Sequence, residues 1–216
     1  MPDARCPPMS QSDGRQFQAA GPDGPGVTSS TRLAILGWGS LVHDPRELAF
    51  DRTQGWQFGG PILPLEFSRK SSDGRLTLVI DDKDGVACRS RFAVSSLPSV
   101  EGAVANLAIR EGRPGKPTPE RNIGFFASAS QRGRARLPAT LRTVGKWATS
   151  NGFTHAIWTD LDPYPEFSLS WAIDYLSSLT EPKLTKARMY FLDAPPEVET
   201  KLRFALRQRG WLNVNS

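Results

Sequence analysis

The chain has 216 residues, of which 38% are hydrophobic, and a formal net charge of +5. That length suits one domain, or one domain with an extension, and no apolar run approaches the roughly 18 residues a membrane span needs. Its only cysteines, Cys6 and Cys88, exclude a disulfide framework and leave no cysteine set for zinc.

Residues 1–30 are rich in Pro, Gly, Ser, Asp and Gln, with Phe17 the one large apolar side chain beyond the first residues. Such a stretch buries too little to offset its ordering entropy and reads as a disordered tail. It holds no charged-then-apolar signal segment, so the expected compartment is a reducing cytoplasm.

The body, residues 31–216, begins with RLAILGW, a short continuous apolar run as in a strand covered on both faces. ILPLEFSRKS reads as a second strand. RLTLVIDD and VACRSRFAV read as two more, joined as a hairpin through Asp84-Gly85. LPSVEGAVANLAIREG then takes helical spacing, with Pro98 in a first turn, a stripe of Val100, Val104 and Leu107, and Gly112 as the stop.

The proline-rich GRPGKPTPERN is a loop and GFFASA a short strand. LPATLRTVGKWATSNG is a helix that turns Leu141, Val144 and Ala148 inward and ends left-handed at Asn151-Gly152. THAIWTDL is a strand, SLSWAIDYLSSL a helix and ARMYFLDA a strand. PPEVETKLRFALRQRG is a last helix, opened by its prolines and closed by Gly210. These elements predict a mixed α/β (α+β) domain with antiparallel strands early and helices late.

GWGSL, residues 37–41, sets two glycines around a tryptophan at the end of the first strand. Glycine there permits positive φ and close approach of a ligand, and successive N–H groups in such a turn can form an anion nest. Ser40 would add a donor and Trp38 a wall; the alternative is a tight turn around a packed indole. The motif matches neither the dinucleotide fingerprint, since position 42 is Val42, nor the nucleophile elbow.

Glu111 extends the Val100, Val104 and Leu107 stripe, where the pattern calls for an apolar residue. It also lies at the negative end of its helix dipole. Both settings favour a carboxylate that accepts a proton near neutral pH. The alternative is an outward swing to pair with Arg110 or Arg113.

The turn WGSL, residues 38–41, followed by Glu111-Gly112 resembles the γ-glutamylcyclotransferase-like family. There a YGSN or YGSL turn follows the first strand, and a later helix ends in a Glu-Gly pair. LEFSRKSSDGRLTLVIDDKDG occupies the place of that family's middle strands, and the resemblance spans roughly residues 32–115. It implies a small mixed-sheet barrel enclosing a cavity, with residues 122–216 as a helix-rich C-terminal extension.

The implied reaction is intramolecular aminolysis. The α-amine of a γ-glutamyl amine or peptide attacks its own γ-carbonyl, closing 5-oxoproline and expelling the remainder. Glu111 would be the acid/base, and Gly37, Trp38, Gly39, Ser40 and Leu41 would line the substrate turn. The resemblance implies no metal or cofactor. Trp38 replaces the family's tyrosine and so removes a hydroxyl, and no family role attaches to AIWTDLDP or SLSWAIDYL.

Arg69 can reach a substrate carboxylate as a bidentate donor, or form a surface ion pair. Glu66 is a reserve carboxylate on the opposite face of that strand. Asp160 and Asp162 would share a face if extended and could bind a cation. His43 follows the turn and could enter the pocket, and Cys88 packs in or near the sheet. Trp158 and Trp171 belong to the core, the cavity cover or a homodimer face.

Residues 110–146 carry nine Lys/Arg against two Glu, a patch that could meet nucleic acid. No reading element accompanies it, and a solvated surface favouring anionic small molecules is the simpler account. A ligand-binding relative that keeps the cavity without the chemistry is a further alternative to the enzyme.

Overall fold

The computed structural model describes residues 31–112 and 115–213; the expected N-terminal tail lies outside the described residues. Among the described residues two sheets and six α-helices form a mixed α/β fold. The first sheet has the order β5-β1-β8-β6-β7 and the second β3-β2-β4. Both are open, so no closed barrel forms among the described residues.

β1 (Leu33–Gly37) is the axis of the larger sheet. It pairs antiparallel with β5 (Arg91–Val94) and parallel with β8 (His155–Thr159). β6 (Ile123–Ala127) then pairs antiparallel with both β8 and β7 (Arg132–Arg134). The 122–216 stretch, expected as an extension, thus supplies three strands of this sheet, one of them beside β1.

All five residues of β1 are buried, and they alternate between two cores as a strand's period of two demands. Leu33 and Ile35 face a cluster closed by Ala103, Val104, Leu107 and Ala108 of α2 (Val100–Glu111). Ala34 and Leu36 face the main core. There they meet Leu63, Leu65 and Phe67 of β2 (Ile62–Lys70), and Leu76, Leu78 and Ile80 of β3 (Leu76–Ile80). The continuous apolar run of the sequence is the signature of this two-sided burial.

The expected hairpin through Asp84-Gly85 does not form. β3 and β4 (Val86–Arg89) each pair with β2, one on either side, and not with each other. Asp81 shapes the connection, its carboxylate accepting the N–H groups of Lys83 and Asp84 at 3.1 and 3.0 Å. VACRSRFAV is also two strands, because buried Ser90 breaks the run and donates its hydroxyl to Pro61 O at 2.8 Å. β4 stays in the small sheet and β5 crosses to the large one.

α2 begins one step later than its proline suggests: Ser99 is the N-cap and its hydroxyl accepts the Gly102 N–H at 3.1 Å. α3 (Pro138–Ser150) packs Val144 and Ala148 inward and ends at Gly152, whose φ is +71°. α4 (Leu169–Ser177) buries Ala172 and Leu176.

ARMYFLDA is a helix, not a strand. α5 (Lys183–Asp193) buries Ala187, Tyr190 and Phe191, an i, i+3, i+4 set hidden inside a compact apolar run. α6 (Lys201–Gln208) is opened by the Thr200 hydroxyl, which accepts the Arg203 N–H at 3.2 Å, and not by Pro195 or Pro196. Gly210, at φ +68°, follows its end.

Candidate functional site

β1 delivers its chain end to a sharp turn, Trp38-Gly39, and then to the single-turn α1 (Ser40–His43). Neither glycine is left-handed, contrary to the positive φ expected for them: Gly39 has φ −143° and is absent, with Gly37, from the positive-φ set. The requirement is steric. A Cβ on Gly37 would lie 2.7 Å from Cζ3 of Trp56, and one on Gly39 would lie 3.0 Å from the Tyr190 phenol oxygen. The turn is bare so that two aromatic side chains can close on it.

Beside this turn is a cavity of about 490 Å³, within the roughly 300–1,000 Å³ typical of small-molecule sites. Gly37, Trp38, Gly39, Ser40 and Leu41 line it from the turn, Arg69 from β2 and Glu111 from the end of α2. The indole of Trp38 is buried in the main core at its edge and leaves the space open.

Glu111 combines the two placements considered for it. It lies on the cavity wall, and its Oε1 pairs with Nη1 of Arg110 at 2.6 Å. The Arg110 side chain is only 3% exposed and that of Glu111 14%. The same guanidinium donates to Asp44 O at 2.6 Å and to Ser40 Oγ at 3.3 Å. One buried cation therefore fastens the carboxylate at the end of α2 to both ends of α1. Arg113, the other partner considered, lies outside the described residues.

The cavity wall carries four arginines, Arg46, Arg69, Arg75 and Arg110, against two carboxylates, Asp73 and Glu111. This balance favours anionic ligands. Arg46 pairs with Asp44 at 3.1 Å and Arg75 with Asp73 at 2.8 Å. Arg69 has no carboxylate partner among the described residues and reaches only Asp162 O, at 3.5 Å.

Sequence reasoning missed Tyr190, the one cavity residue contributed by α4–α6 among the described residues. Its phenol oxygen accepts the Leu78 N–H at 3.4 Å, and the ring packs edge-on against Phe67 at 6.0 Å. Burial raises its pKa, so the hydroxyl stays protonated at neutral pH. The helical spacing of Ala187, Tyr190 and Phe191 was the available signal. Arg75, Asp73 and Ser71 were equally unremarked, because the β2–β3 connection reads as an ordinary polar turn.

The other candidates lie apart from the cavity. Glu66 is fully buried on β2, where it accepts the N–H groups of Phe67 at 2.8 Å and Leu202 at 3.3 Å; burial raises its pKa. Asp160 is buried, accepts the Arg136 N–H and has its pKa raised by burial, while Asp162 pairs with Arg136 at 3.4 Å. Among the described residues no group of three or more His, Cys, Asp or Glu could hold a metal.

His43 packs edge-on against Tyr190, with ring centroids 6.3 Å apart, and burial lowers its pKa. Burial likewise pushes the Cys88 thiol up to about 11. Trp158 is fully buried, and Trp171 stacks between Tyr164 and Tyr175 at 4.6 and 5.3 Å. Within the 110–146 basic stretch, Arg110 is internal. Arg134 and Arg136 donate to backbone carbonyls of Glu120 and Ile80, at 2.6 and 2.5 Å. Set against protein-family models, curated proteins and solved structures, the chain matches none.

Proposed function

We propose that the chain is a relative of the γ-glutamylcyclotransferase-like enzymes, and that its cavity folds a γ-glutamyl amine or peptide for ring closure to 5-oxoproline. One observation carries this reading: the Glu111 carboxylate and the bare 37–41 turn line the same 490 Å³ space. The two open sheets, which share one core, are on this reading a splayed form of the family's small barrel.

The substrate's α-ammonium first gives a proton to Glu111. The freed amine then attacks the γ-carbonyl carbon, and a new C–N bond forms as the carbonyl pair moves onto oxygen. When that pair returns, the old C–N bond breaks and the leaving nitrogen takes the proton back from Glu111; the ring nitrogen then gives its second proton to the freed Glu111 carboxylate, which passes it to the released amine. Holding amine and carbonyl at contact distance supplies much of the acceleration. Arg110 orients the carboxylate through Oε1; among the described residues nothing engages Oε2, which remains for the proton. Arg69, without a carboxylate partner, is placed to receive an anionic group of the substrate.

The test is release of 5-oxoproline from a broad γ-glutamyl panel. Turnover abolished by Glu111→Gln, with the variant still folded at the assay temperature, supports the assignment; an inert wild-type protein refutes it. The short Arg110–Glu111 pair also favours a second reading, a binding protein in which the carboxylate is structural. That reading expects small carboxylates to raise the melting temperature without being consumed.

A further inference from the structure

We propose that Tyr190 is a second catalytic residue, donating its phenol hydrogen bond to the γ-carbonyl oxygen as that oxygen gains negative charge; this rests on the cyclotransferase reading above. Three observations meet at this side chain. It lines the cavity from α5. Its oxygen lies 3.0 Å from where a Gly39 Cβ would be, which puts it on the turn itself. Its residue is 6% exposed, and the oxygen accepts the Leu78 N–H, while among the described residues the hydroxyl donates to nothing.

A phenol fixed by a backbone donor has its own proton left to give. Gly39 then has a chemical purpose: a Cβ there would press on that hydroxyl and shift it by a few tenths of an ångström. The guanidinium of Arg75, 5.1 Å from the centre of the tyrosine ring, adds positive charge near the developing oxyanion. During ring closure the carbonyl π pair moves onto oxygen and the phenol hydrogen bond shortens. No proton leaves Tyr190; the proton in transit travels through Glu111. A donor already aimed at the place where charge will develop needs no reorganisation at the moment of reaction, which is what makes it effective.

The experiment compares steady-state 5-oxoproline release by the wild-type chain and by Tyr190→Phe, which keeps the ring and its packing. The expected result is a kcat lower by about 10²–10³-fold, the range for loss of one such donor, with KM within about threefold. A Tyr190→Phe variant with wild-type kcat, or one whose whole loss is in KM, overturns the proposal while leaving the cyclotransferase reading intact. A wild-type chain inert on every γ-glutamyl compound overturns both. Should Tyr190→Phe melt early, a fluorinated tyrosine at position 190 decides. Its more acidic phenol should move the alkaline limb of the pH–rate profile to lower pH, and an unmoved limb overturns the assignment.

Discussion

Replacing Arg110 by methionine separates the two uses of the cavity. Methionine keeps much of the length and apolar packing of the stem but removes the guanidinium. Lost with it are the 2.6 Å pair to Glu111, the 2.6 Å bond to Asp44 O and the 3.3 Å bond to Ser40 Oγ. Breaking a buried pair by removing one partner costs about 3–5 kcal/mol. Glu111 is 14% exposed and opens onto a cavity that water can enter, so part of that cost is recovered. A loss of about 2–4 kcal/mol remains.

For a domain of this size each kcal/mol moves Tm by about 2–4 °C, so calorimetry should find Arg110→Met melting about 5–15 °C below wild type. Glu111→Gln is the counterpart. Its amide oxygen still accepts from Arg110 but no longer neutralises that buried guanidinium, so it should melt about 2–8 °C below wild type, less far than Arg110→Met. If 5-oxoproline release also disappears, the carboxylate is needed for chemistry and the guanidinium for holding it. A methionine variant that melts within 2 °C of wild type would refute the claim that this cation fastens α2 to α1.

Gly37→Ala places a Cβ 2.7 Å from Cζ3 of Trp56 and 3.1 Å from Cγ2 of Val42; calorimetry should show a loss of about 1–3 kcal/mol as the indole is displaced, and an unchanged Tm would show that Trp56 yields freely. Glu66 should make stability fall with pH. Burial raises its folded value above the ordinary 4.5, so the folded state holds an extra proton between the two values. The stabilisation present below 4.5 is lost as pH rises through the raised value. Urea titrations at several pH values should find that falling component absent from Glu66→Gln. Cys88, 3% exposed with its thiol pushed up to about 11, should resist iodoacetamide at pH 8 in a Cys6→Ser background and react once urea unfolds the chain; fast labelling of the native protein would contradict its burial.

The sequence pattern exposed those parts of the fold whose signals are local. β1 announced its two-sided burial by continuous apolarity, and α3 its end by Asn151-Gly152. The pairing of β3 and β4 was invisible, because Asp84-Gly85 is a hairpin signal only if the flanking strands adjoin, and β2 lies between them. α5 was mistaken for a strand because Met189, Tyr190, Phe191 and Leu192 form a run too short and too apolar for periodicity to decide. With α5 went Tyr190, and with Tyr190 the reason for Gly39. At the site, Glu111 and the turn were legible because each breaks a local rule: an acid on an apolar stripe, and glycines at the end of a good strand. Arg69 was legible as a donor, but Arg75 and Asp73 meet the cavity only through the β2–β3 connection, which nothing local marks.

Arg110 shows how far a charge count can mislead. In sequence it opens a basic stretch that reads as a surface for anions or nucleic acid. In the fold it is the least exposed charge of the site, and Arg134 and Arg136 turn back onto carbonyls of Glu120 and Ile80. Four arginines, from α2, β2 and the connections after α1 and β2, line the cavity wall, and of these Arg69 alone has no carboxylate partner among the described residues. A guanidinium spent on backbone carbonyls contributes little to counterion release, whereas one on a concave wall acts through less solvent and at shorter range. On the proposed reading these arginines serve a small anionic guest held in the cavity. Salt should separate the two possibilities: binding of a small γ-glutamyl carboxylate in the cavity should weaken only slightly between 50 and 200 mM salt, while contacts made by the exposed Lys116, Arg121 and Arg142 should be lost steeply. Binding to duplex DNA that survives 200 mM salt would reverse that conclusion.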